Sequence, residues 1–246
     1  MIKSFWSVYL FALLNICLLS ETSAKISGSN LTENSSEEPK KYNYLLYLPK
    51  GYTTEKKKYP LVIYLHGSSQ KGNDINKLKA YGPPQLVEAG RNFDFIIVSP
   101  QCPSGVRNWS EENWFESLFA ELNSKYEIDP DRIYLTGVSM GGGGTFDLAK
   151  RYPDKFAALV PLCAWDSDVT NLCNIRHIPT WTFHGKQDAV VPVSETEEKV
   201  KKLRDCEGKI ELTVLENEGH GIQWLYEKQD IYDIYDWMLK HKRKAK

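Results

Sequence analysis

Seven short apolar segments with helical patterns between them constrain the fold more than any other feature of the sequence. They are residues 42–48, 61–66, 93–100, 132–137, 156–163, 180–185 and 209–215. Several are continuous apolar runs, which are typical of strands covered on both faces. Helical periodicity occupies the intervals 113–126, 142–152, 194–205 and 223–242. The alternation predicts an α/β domain with a mostly parallel central sheet and helices on both faces.

The segment before the first predicted strand differs from the rest of the chain. Residues 1–24 combine a positive start, an apolar run and the small-residue end TSA, a pattern typical of a removed signal peptide. A membrane anchor is the competing interpretation, but Asn15 interrupts the apolar run, which is short for a span of about 20 residues. Residues 25–41 are polar and aperiodic, and we expect a disordered leader there. The folded domain is then residues 42–246.

Export would place the cysteines in an oxidising compartment. Removal of the signal peptide would leave Cys102, Cys163, Cys173 and Cys206, for which three pairings are possible. We expect the Cys163–Cys173 pairing, because these two residues are close in sequence and flank one loop; four buried free thiols are the alternative. The cysteine spacing matches no zinc pattern, and we expect no metal and no organic cofactor.

The charge balance gives no indication of a nucleic-acid partner. The chain has 31 Lys and Arg against 32 Asp and Glu, for a formal net charge of -1, so it produces no overall basic field. The C-terminal stretch LKHKRKAK is locally basic and is interpreted as a solvated helix end. We expect no nucleic-acid partner and no stable membrane insertion after signal removal, and the oligomeric state stays open.

The most informative motif is GVSMGGGGTFDLAKRY, which directly follows the predicted strand RIYLTG. It contains G-x-S-x-G centred on Ser139 between a strand and a helix, the arrangement of a nucleophile elbow. Gly141 to Gly144 lower helix propensity by roughly 1 kcal/mol each, and tight packing of helix against strand would offset this loss. A flexible glycine loop with an incidental serine is the alternative, but the flanking strand and helix favour Ser139 as a nucleophile.

A serine nucleophile needs a base, and the base needs an orienting acid. In folds of this class the chain order is Ser, then Asp or Glu, then His. Of the five histidines, only His220 follows a late strand, is flanked by glycines and precedes the final helical pattern. Asp188 follows the strand TWTFHG and lies between Ser139 and His220, so we expect it to be the acid. Asp166 and Asp168 are the rival acids.

The oxyanion formed during acyl transfer needs preorganised N–H donors. The backbone N–H of Met140, directly after Ser139, is one candidate, and the second should come from the loop after an earlier strand. Ser68, in LHGSSQKGND, is the predicted second donor. His66 in the same loop is expected to shape the turn without a catalytic role.

Together these motifs resemble the α/β-hydrolase superfamily, and within it the secreted esterase and predicted-peptidase group related to the dienelactone hydrolase and phospholipase/carboxylesterase families. The resemblance covers about residues 42–242 through LVIYLHGSSQKGND, YGPPQLV, VSPQCP, DPDRIYLTGVSMGGGGTFDLAKRYPDKFAALVPLC, IPTWTFHGKQDAVVPV and EGHGIQW. It implies an α/β-hydrolase fold whose catalytic domain is residues 42–246. It also implies the same roles: nucleophile Ser139, acid Asp188, base His220, and oxyanion donors Ser68 and Met140.

Two departures from the family pattern concern the substrate pocket. Ser69 stands where the family loop usually has a glycine, and Trp224 is displaced beyond an inserted-looking Gly221-Ile222-Gln223.

The predicted chemistry is transfer of an acyl group to water through an acyl-enzyme. Because a neutral histidine must act as the base, activity should fall below about pH 6–7.

Substrate size is the least constrained property. The segment from Cys163 to Pro179 is too short for a large lid domain, which favours an open cleft and short-chain or bulky polar-linked esters over long-chain triglycerides. The resemblance to exported esterases implies acetyl or feruloyl esters linked to plant polysaccharide. Trp109, Trp165 and Trp224 fall in loops at the ligand end of the sheet, where we expect them to contact substrate; loop packing is the alternative. A serine peptidase of small peptides and a catalytically inactive binding module are the alternative functions.

Overall fold

The computed structural model describes residues 40–52 and 57–243. The predicted signal peptide and residues 25–39 of the predicted leader lie outside the described residues. Lys40 lies inside them, and its backbone N–H donates to the carbonyl of Asn113 at 3.1 Å. Among the helices of the described residues, none has the length and apolarity that crossing a membrane would require.

The strands occur in the predicted order, and each overlaps its predicted segment. They are β1 Tyr44–Tyr47, β2 Tyr59–Leu65, β3 Ile96–Pro100, β4 Ile128–Val138, β5 Ala158–Leu162, β6 Thr180–Gly185 and β7 Ile210–Leu215. Their order across the sheet is β1-β3-β2-β4-β5-β6-β7. β1 pairs antiparallel with β3, and the other described pairs are parallel. The predicted mostly parallel sheet is confirmed.

Within residues 40–52 and 57–243, five α-helices flank this sheet. They are α1 Pro83–Glu88, α2 Phe115–Lys125, α3 Met140–Arg151, α4 Val193–Asp205 and α5 Ile234–Leu239. The sequence analysis missed α1, a short helix that begins with two prolines. The predicted continuous helix over 223–242 is wrong: a 3₁₀ turn at Gln223–Tyr226 is followed by a break before α5. Asp233 caps α5 by accepting the N–H of Asp236 at 2.8 Å, and this cap starts the helix anew.

Alternate side chains of the central strands enter two cores on opposite faces of the sheet. Leu61, Ile63 and Leu65 of β2 pack in one core with side chains of α2, α3 and α4. Val62 and Tyr64 of the same strand pack in the other core with side chains of α5. This is the period of two that a strand imposes, and full burial of each aliphatic side chain contributes about 1.5–3 kcal/mol.

The strand order places a crevice next to β2. The chain leaves β2 for β3 on one side and returns to β4 on the other side. In an open parallel sheet such a reversal opens a ligand-binding crevice at the carboxyl ends of the strands. The loop after β2 and the turn after β4 therefore border this crevice, and Ser139 occupies that turn.

The disulfide joins Cys173 to Cys206, so the predicted Cys163–Cys173 pairing is wrong. Cys163 and Cys102 are free and buried. The thiol of Cys163 belongs to the core on the α5 face, whereas Cys206 packs against the core on the opposite face. Proximity of Cys163 and Cys173 in sequence was misleading, because Cys173 is bridged to Cys206 on one face of the sheet while the Cys163 thiol lies on the other face.

Candidate active site

Ser139 lies in a strained backbone turn between β4 and α3. Its φ of 57° and ψ of -116° place it where residues other than glycine are rarely found. Three backbone hydrogen bonds hold this conformation. The Ser139 N–H donates to the Leu162 carbonyl at 2.9 Å, and the Ser139 carbonyl accepts from the N–H groups of Gly143 at 3.0 Å and Trp165 at 3.1 Å. Main-chain contacts with the end of β5 thus stabilise the strained turn.

The run of four glycines at the start of α3 has a separate packing partner at each position. A Cβ would overlap the Leu65 carbonyl at Gly141, the Leu162 carbonyl at Gly142, the Trp165 carbonyl at Gly143 and the Trp109 side chain at Gly144. Three of these four obstacles are backbone atoms, which cannot rotate away. The helix therefore lies directly on the ends of β2 and β5, and each glycine in the run is needed for that approach.

The loops after β6 and β7 are joined to each other by their backbones. The N–H of Lys186 donates to the Leu215 carbonyl, and the N–H of Gln187 donates to the Glu218 carbonyl, both at 2.9 Å. Gly185 ends β6 where a Cβ would overlap the Glu218 and Gly219 carbonyls. Because the two loops approach so closely, Asp188 on the loop after β6 lies next to His220 on the loop after β7.

Asp188 and His220 form a hydrogen-bonded pair. Nδ1 of His220 lies 2.7 Å from Oδ2 of Asp188, whose carboxylate is fully buried, while a quarter of the His220 side chain is exposed. The other carboxylate oxygen, Oδ1, accepts the N–H groups of Val190 and Val191 at 2.8 Å each. Because a carboxylate only accepts, Nδ1 of His220 carries the proton and Nε2 is left as the basic atom.

A second histidine contacts the same carboxylate oxygen. Nε2 of the buried His184 lies 3.3 Å from Oδ2 of Asp188 and 2.9 Å from the carbonyl of Val191. Both neighbours are acceptors, so Nε2 carries a proton, and Nδ1 is paired with the Thr196 hydroxyl at 2.8 Å. Burial lowers the pKa of His184, which keeps the ring neutral. The sequence analysis gave this residue no role, because the contact depends on how the loop after β6 folds back.

These contacts keep Asp188 ionised. Burial alone raises the pKa of this carboxyl, but the N–H of Val191, the His220 side chain and the N–H of Val190 together outweigh it. The net result is a pKa below the ordinary value for aspartate. An anion at this position stabilises the imidazolium that forms when His220 accepts a proton.

The same region contains a cluster whose residue types could suggest a metal site. Donor atoms of Cys163, His184 and Asp188 lie within 4.8 Å of one another. Metal binding requires a thiolate and an unprotonated ring nitrogen. Burial raises the pKa of Cys163 to about 12, and Nε2 of His184 already donates its proton to the Val191 carbonyl. The cluster fits a hydrogen-bond network around Asp188 and does not fit a metal ion.

Ser139 and His220 both contact one short segment at the end of β5. Ser139 is hydrogen-bonded to the backbones of Leu162 and Trp165 at the two ends of this segment. Between them, the thiol of Cys163 lies 3.8 Å from the His220 carbonyl. The predicted nucleophile and the predicted base therefore both contact residues 162–165.

The predicted oxyanion donors are the first residues of two helical turns. Ser68 begins the 3₁₀ turn Ser68–Gln70 and Met140 begins α3, and first-turn N–H groups have no intrahelical acceptor. A Cβ at Gly67, between these turns, would lie 3.7 Å from Cβ of Ser139 and 3.0 Å from the hydroxyl of Tyr81. Tyr81, in the motif YGPPQLV, was not predicted to have a role, and its hydroxyl also lies 3.2 Å from Oγ of Ser69.

His66 braces the loop that carries Ser68. Its ring is fully buried, with Nδ1 donating to the Gly67 carbonyl at 2.6 Å and Nε2 accepting the N–H of Cys102 at 3.0 Å. Burial lowers the pKa of His66 to about 4, so the ring is neutral at physiological pH. The histidine ties the loop after β2 to the segment after β3.

The three tryptophans expected to contact substrate differ in exposure. Trp109 has no exposed surface, and its Nε1–H donates to the His66 carbonyl at 3.1 Å. The predicted substrate contact therefore does not hold for Trp109, whose indole fills space between α3 and the loop after β2. Trp165 and Trp224 are half-buried, and Nζ of Lys228 lies 5.5 Å from the Trp224 ring. Their contact with substrate stays a prediction.

The rival acids have other partners. Asp166 pairs with Arg107 at 2.8 Å and accepts the side-chain amide of Asn108 at 2.7 Å. Asp168 pairs with Lys150 at 3.1 Å. Neither carboxylate has a recorded contact with His220, whereas Asp188 does.

Two family models match the chain. The model described as esterase PHB depolymerase matches residues 42–166, about half of the chain, and the model described as PET hydrolase-like matches residues 114–220. With the fold, these matches confirm the resemblance to α/β-hydrolase esterases. The finer resemblance to dienelactone hydrolases and to the phospholipase/carboxylesterase family is not confirmed.

Curated relatives and solved structures agree with this grouping. A bifunctional acetylxylan esterase/xylanase of Neocallimastix patriciarum is 27% identical over 59% of this chain and 22% of the relative. A probable feruloyl esterase C of Aspergillus terreus is 27% identical over 65% of this chain and 60% of the relative. The crystal structure of a thermostable esterase has a TM-score of 0.66 at 30% identity, over 81% of this chain and 59% of that one. The chain thus spans between about a fifth and three fifths of these proteins.

Proposed function

We propose that this chain, which belongs to the esterase PHB depolymerase family, is a serine hydrolase of carboxylic esters that forms an acyl-enzyme on Ser139. The observation that carries the proposal is the hydrogen bond between His220 and the buried Asp188, at 2.7 Å, in a chain whose predicted nucleophile occupies a strained turn. A base oriented by an anion and a nucleophile on an elbow are the two requirements of this chemistry.

The reaction takes place in two halves. Oγ of Ser139 attacks the ester carbonyl while Nε2 of His220 accepts its proton, and the negative charge of the tetrahedral intermediate is stabilised by the N–H groups of Ser68 and Met140. Collapse of the intermediate releases the alcohol, which takes the proton from His220. Water then attacks the acyl-enzyme while His220 again accepts a proton, and the bond to Oγ of Ser139 breaks as His220 returns that proton to Oγ and the acid leaves. Asp188 stays ionised and stabilises the imidazolium in both halves.

The proposed substrates are short-chain esters or acetyl and feruloyl esters linked to polysaccharide. An acetylxylan esterase and a feruloyl esterase are among the relatives of the chain. The described residues between β5 and β6 contain only a short 3₁₀ turn, Leu172–Ile175, so no lid domain covers the crevice from that side. A crevice without a lid from that connection suits an ester attached to a bulky chain.

We also propose that the protein acts outside the cytoplasm. The Cys173–Cys206 disulfide supports this location, because structural disulfides persist in oxidising compartments. The N-terminal pattern of residues 1–24 supports it independently. N-terminal sequencing of protein recovered from the medium or periplasm of an expressing host should start after Ala24, and a mature chain that retains its first residues would contradict the proposal.

The test of activity compares the wild-type chain with Ser139→Ala on p-nitrophenyl acetate, butyrate and palmitate, on methyl ferulate and on acetylated xylan. We expect hydrolysis of the acetyl, butyryl or feruloyl esters by the wild type and loss of it in the variant. Equal rates for the two proteins, or no hydrolysis of any ester, would contradict the proposal. Faster hydrolysis of the palmitate would contradict the proposed substrate class.

A further inference from the structure

A second cleft opens at the amino-terminal ends of β5, β6 and β7. It has a volume of about 880 Å³, and its lining includes Ala157, Pro179 and Lys209, each directly before one of these strands. The three strands are 5 or 6 residues long, which corresponds to about 17–20 Å at roughly 3.3 Å per residue. The cleft therefore lies at the amino-terminal ends of the strands, whereas Ser139 follows the carboxyl end of β4. It has no part in the proposed chemistry.

The lining of this cleft is strongly basic. It contains five lysine and arginine side chains and two histidines, against the acidic side chains of Asp154 and Glu207. Burial, together with the positive charges of Lys209 and Lys240, lowers the pKa of His241 at the same place, although Glu211 acts against it. A chain with a formal net charge of -1 thus concentrates cations at one site.

Three of the five cations have no ion-pair partner among the described residues. Lys240 pairs with Asp236 at 2.8 Å and Arg243 pairs with Asp131 at 3.2 Å. The remaining three cations lining the cleft are Arg176, Lys209 and Lys242. The Arg176 guanidinium donates to the Cys173 carbonyl at 3.4 Å, and Lys242 lies close enough to Asp129 to help lower the pKa of that carboxyl. Unpaired cations grouped around one cavity favour an anionic ligand over a neutral one.

Both walls of the cleft are fixed to the fold. On one wall, the N–H of Lys209 donates to the Arg176 carbonyl at 3.1 Å, and the Cys173–Cys206 disulfide closes the same region. On the other wall, the segment after α5 is anchored by Arg243, which donates to the Asp154 carbonyl at 2.6 Å and through its backbone to the Asp131 carbonyl at 2.8 Å. The cations therefore project from two braced walls and not from a free tail.

We propose that this cleft binds an anionic polysaccharide, a sugar chain that carries carboxylates, at a site separate from catalysis. Between the walls lie the apolar residues Phe156, Ile178 and Pro179, which suit the apolar faces of sugar rings. Three unpaired cations suit a ligand with few, spaced charges, since guanidinium and ammonium groups form charge-assisted hydrogen bonds with carboxylates. The choice of a polysaccharide over another polyanion rests on the proposed function.

Binding here would hold the enzyme on its polymer. An ester on the same polymer is then presented to Ser139 at a raised effective concentration. The cleft should accordingly lower the KM for polymer-linked esters and leave hydrolysis of small esters unchanged.

The test measures binding in a protein that cannot turn over its ligand. Full-length Ser139→Ala is titrated calorimetrically with de-esterified oligogalacturonate, with neutral xylohexaose and with a single-stranded DNA oligonucleotide of equal charge. The cleft variant adds Arg176→Gln, Lys209→Gln and Lys242→Gln. The matched control instead adds Lys41→Gln, Lys50→Gln and Lys58→Gln, which remove the same charge from exposed lysines outside the cleft lining.

We expect oligogalacturonate to bind to Ser139→Ala. The additional substitutions of the cleft variant should raise its Kd at least tenfold, and those of the control should change it less than twofold. Absence of binding, or equal weakening in the two variants, would overturn the site. Tighter binding of the DNA or of xylohexaose would overturn the assignment of the ligand. Because these measurements use the Ser139→Ala protein, they can be interpreted even if the proposed ester hydrolysis fails.

Discussion

The nucleophile and the acid–base pair are positioned by different means. Ser139 is held almost entirely by main-chain atoms: its own backbone bonds to Leu162 and Trp165, and glycines that let α3 lie on the strand ends. Asp188 and His220 are held by a side-chain hydrogen bond, and His184 packs against the same carboxylate oxygen of Asp188 at 3.3 Å. A position fixed by the backbone has little tolerance for added atoms, whereas a position fixed by hydrogen bonds responds to the loss of each donor.

Asp188→Asn tests the network side of this comparison and has the largest expected effect. The asparagine oxygen would accept from Val190 and Val191, so its NH₂ would face Nδ1 of His220 and force the proton onto Nε2. With the basic atom blocked, kcat on p-nitrophenyl acetate should fall about 10⁴-fold while KM changes little. Circular dichroism should show a folded protein, and a loss of less than tenfold would mean that another group orients His220.

Gly143→Ala tests the backbone side. In a helix interior, alanine is favoured over glycine by about 1 kcal/mol, but here its Cβ would overlap the Trp165 carbonyl. We expect a loss of about 3 kcal/mol in the free energy of unfolding, or failure to fold, because neither backbone segment can shift easily.

Gly105→Ala is the matched control for Gly143→Ala, since no atom lies within 4 Å of a Cβ built there. Its free energy of unfolding should change by less than about 0.5 kcal/mol. Urea denaturation measures both variants. Equal stability of the two would show that the glycine run is not required for packing.

His66, in the loop after β2, should make the free energy of unfolding depend on pH. An unfolded histidine binds a proton below about pH 6.5, whereas burial holds the pKa of His66 at about 4 in the folded protein. The unfolded state therefore binds more protons in this window, and stability falls as pH decreases from about 6.5 to 4, by on the order of 3 kcal/mol. His184 and His241, whose pKa values are also lowered, act in the same direction.

Denaturation of wild type and His66→Gln between pH 7 and 4.5 isolates this contribution. The variant should be less stable at pH 7 and should lose stability less steeply as the pH decreases. Parallel curves for the two proteins would show that His66 is not the group that titrates.

His184→Gln has the smallest expected effect and sharpens the comparison. The substitution removes a ring whose Nε2–H, donated to the Val191 carbonyl, lies 3.3 Å from Oδ2 of Asp188. Without this nearby N–H dipole the carboxylate becomes more basic. We expect kcat to fall about tenfold, or about 1.4 kcal/mol, and the acid limb of the pH–rate profile to move to higher pH.

His177→Gln controls for the removal of a histidine, because His177 is exposed and contacts only the Pro153 carbonyl among its recorded partners. It should match the wild type in rate and in pH profile. A lower kcat in His184→Gln with an unchanged acid limb would indicate a structural role for His184 and not a role through Asp188.

The features that local sequence pattern encodes could be predicted. Apolar runs gave the seven strands, and G-x-S-x-G between a strand and a helix placed Ser139 in its turn. The features that depend on which face of the sheet a side chain occupies could not be predicted. Cys163 and Cys206 lie on opposite faces, Trp109 is buried under α3, and His184 reaches Asp188 only because the loop after β6 folds back.

The central claim, that Ser139 is a nucleophile activated by His220, is tested most directly by labelling with a fluorophosphonate. Peptide mass spectrometry of the wild-type chain should show one adduct, on the peptide that contains Ser139. The Ser139→Ala protein should show none, and His220→Gln should label at least 100-fold more slowly while remaining folded. Labelling of another residue, or equal labelling of wild type and Ser139→Ala, would contradict the account.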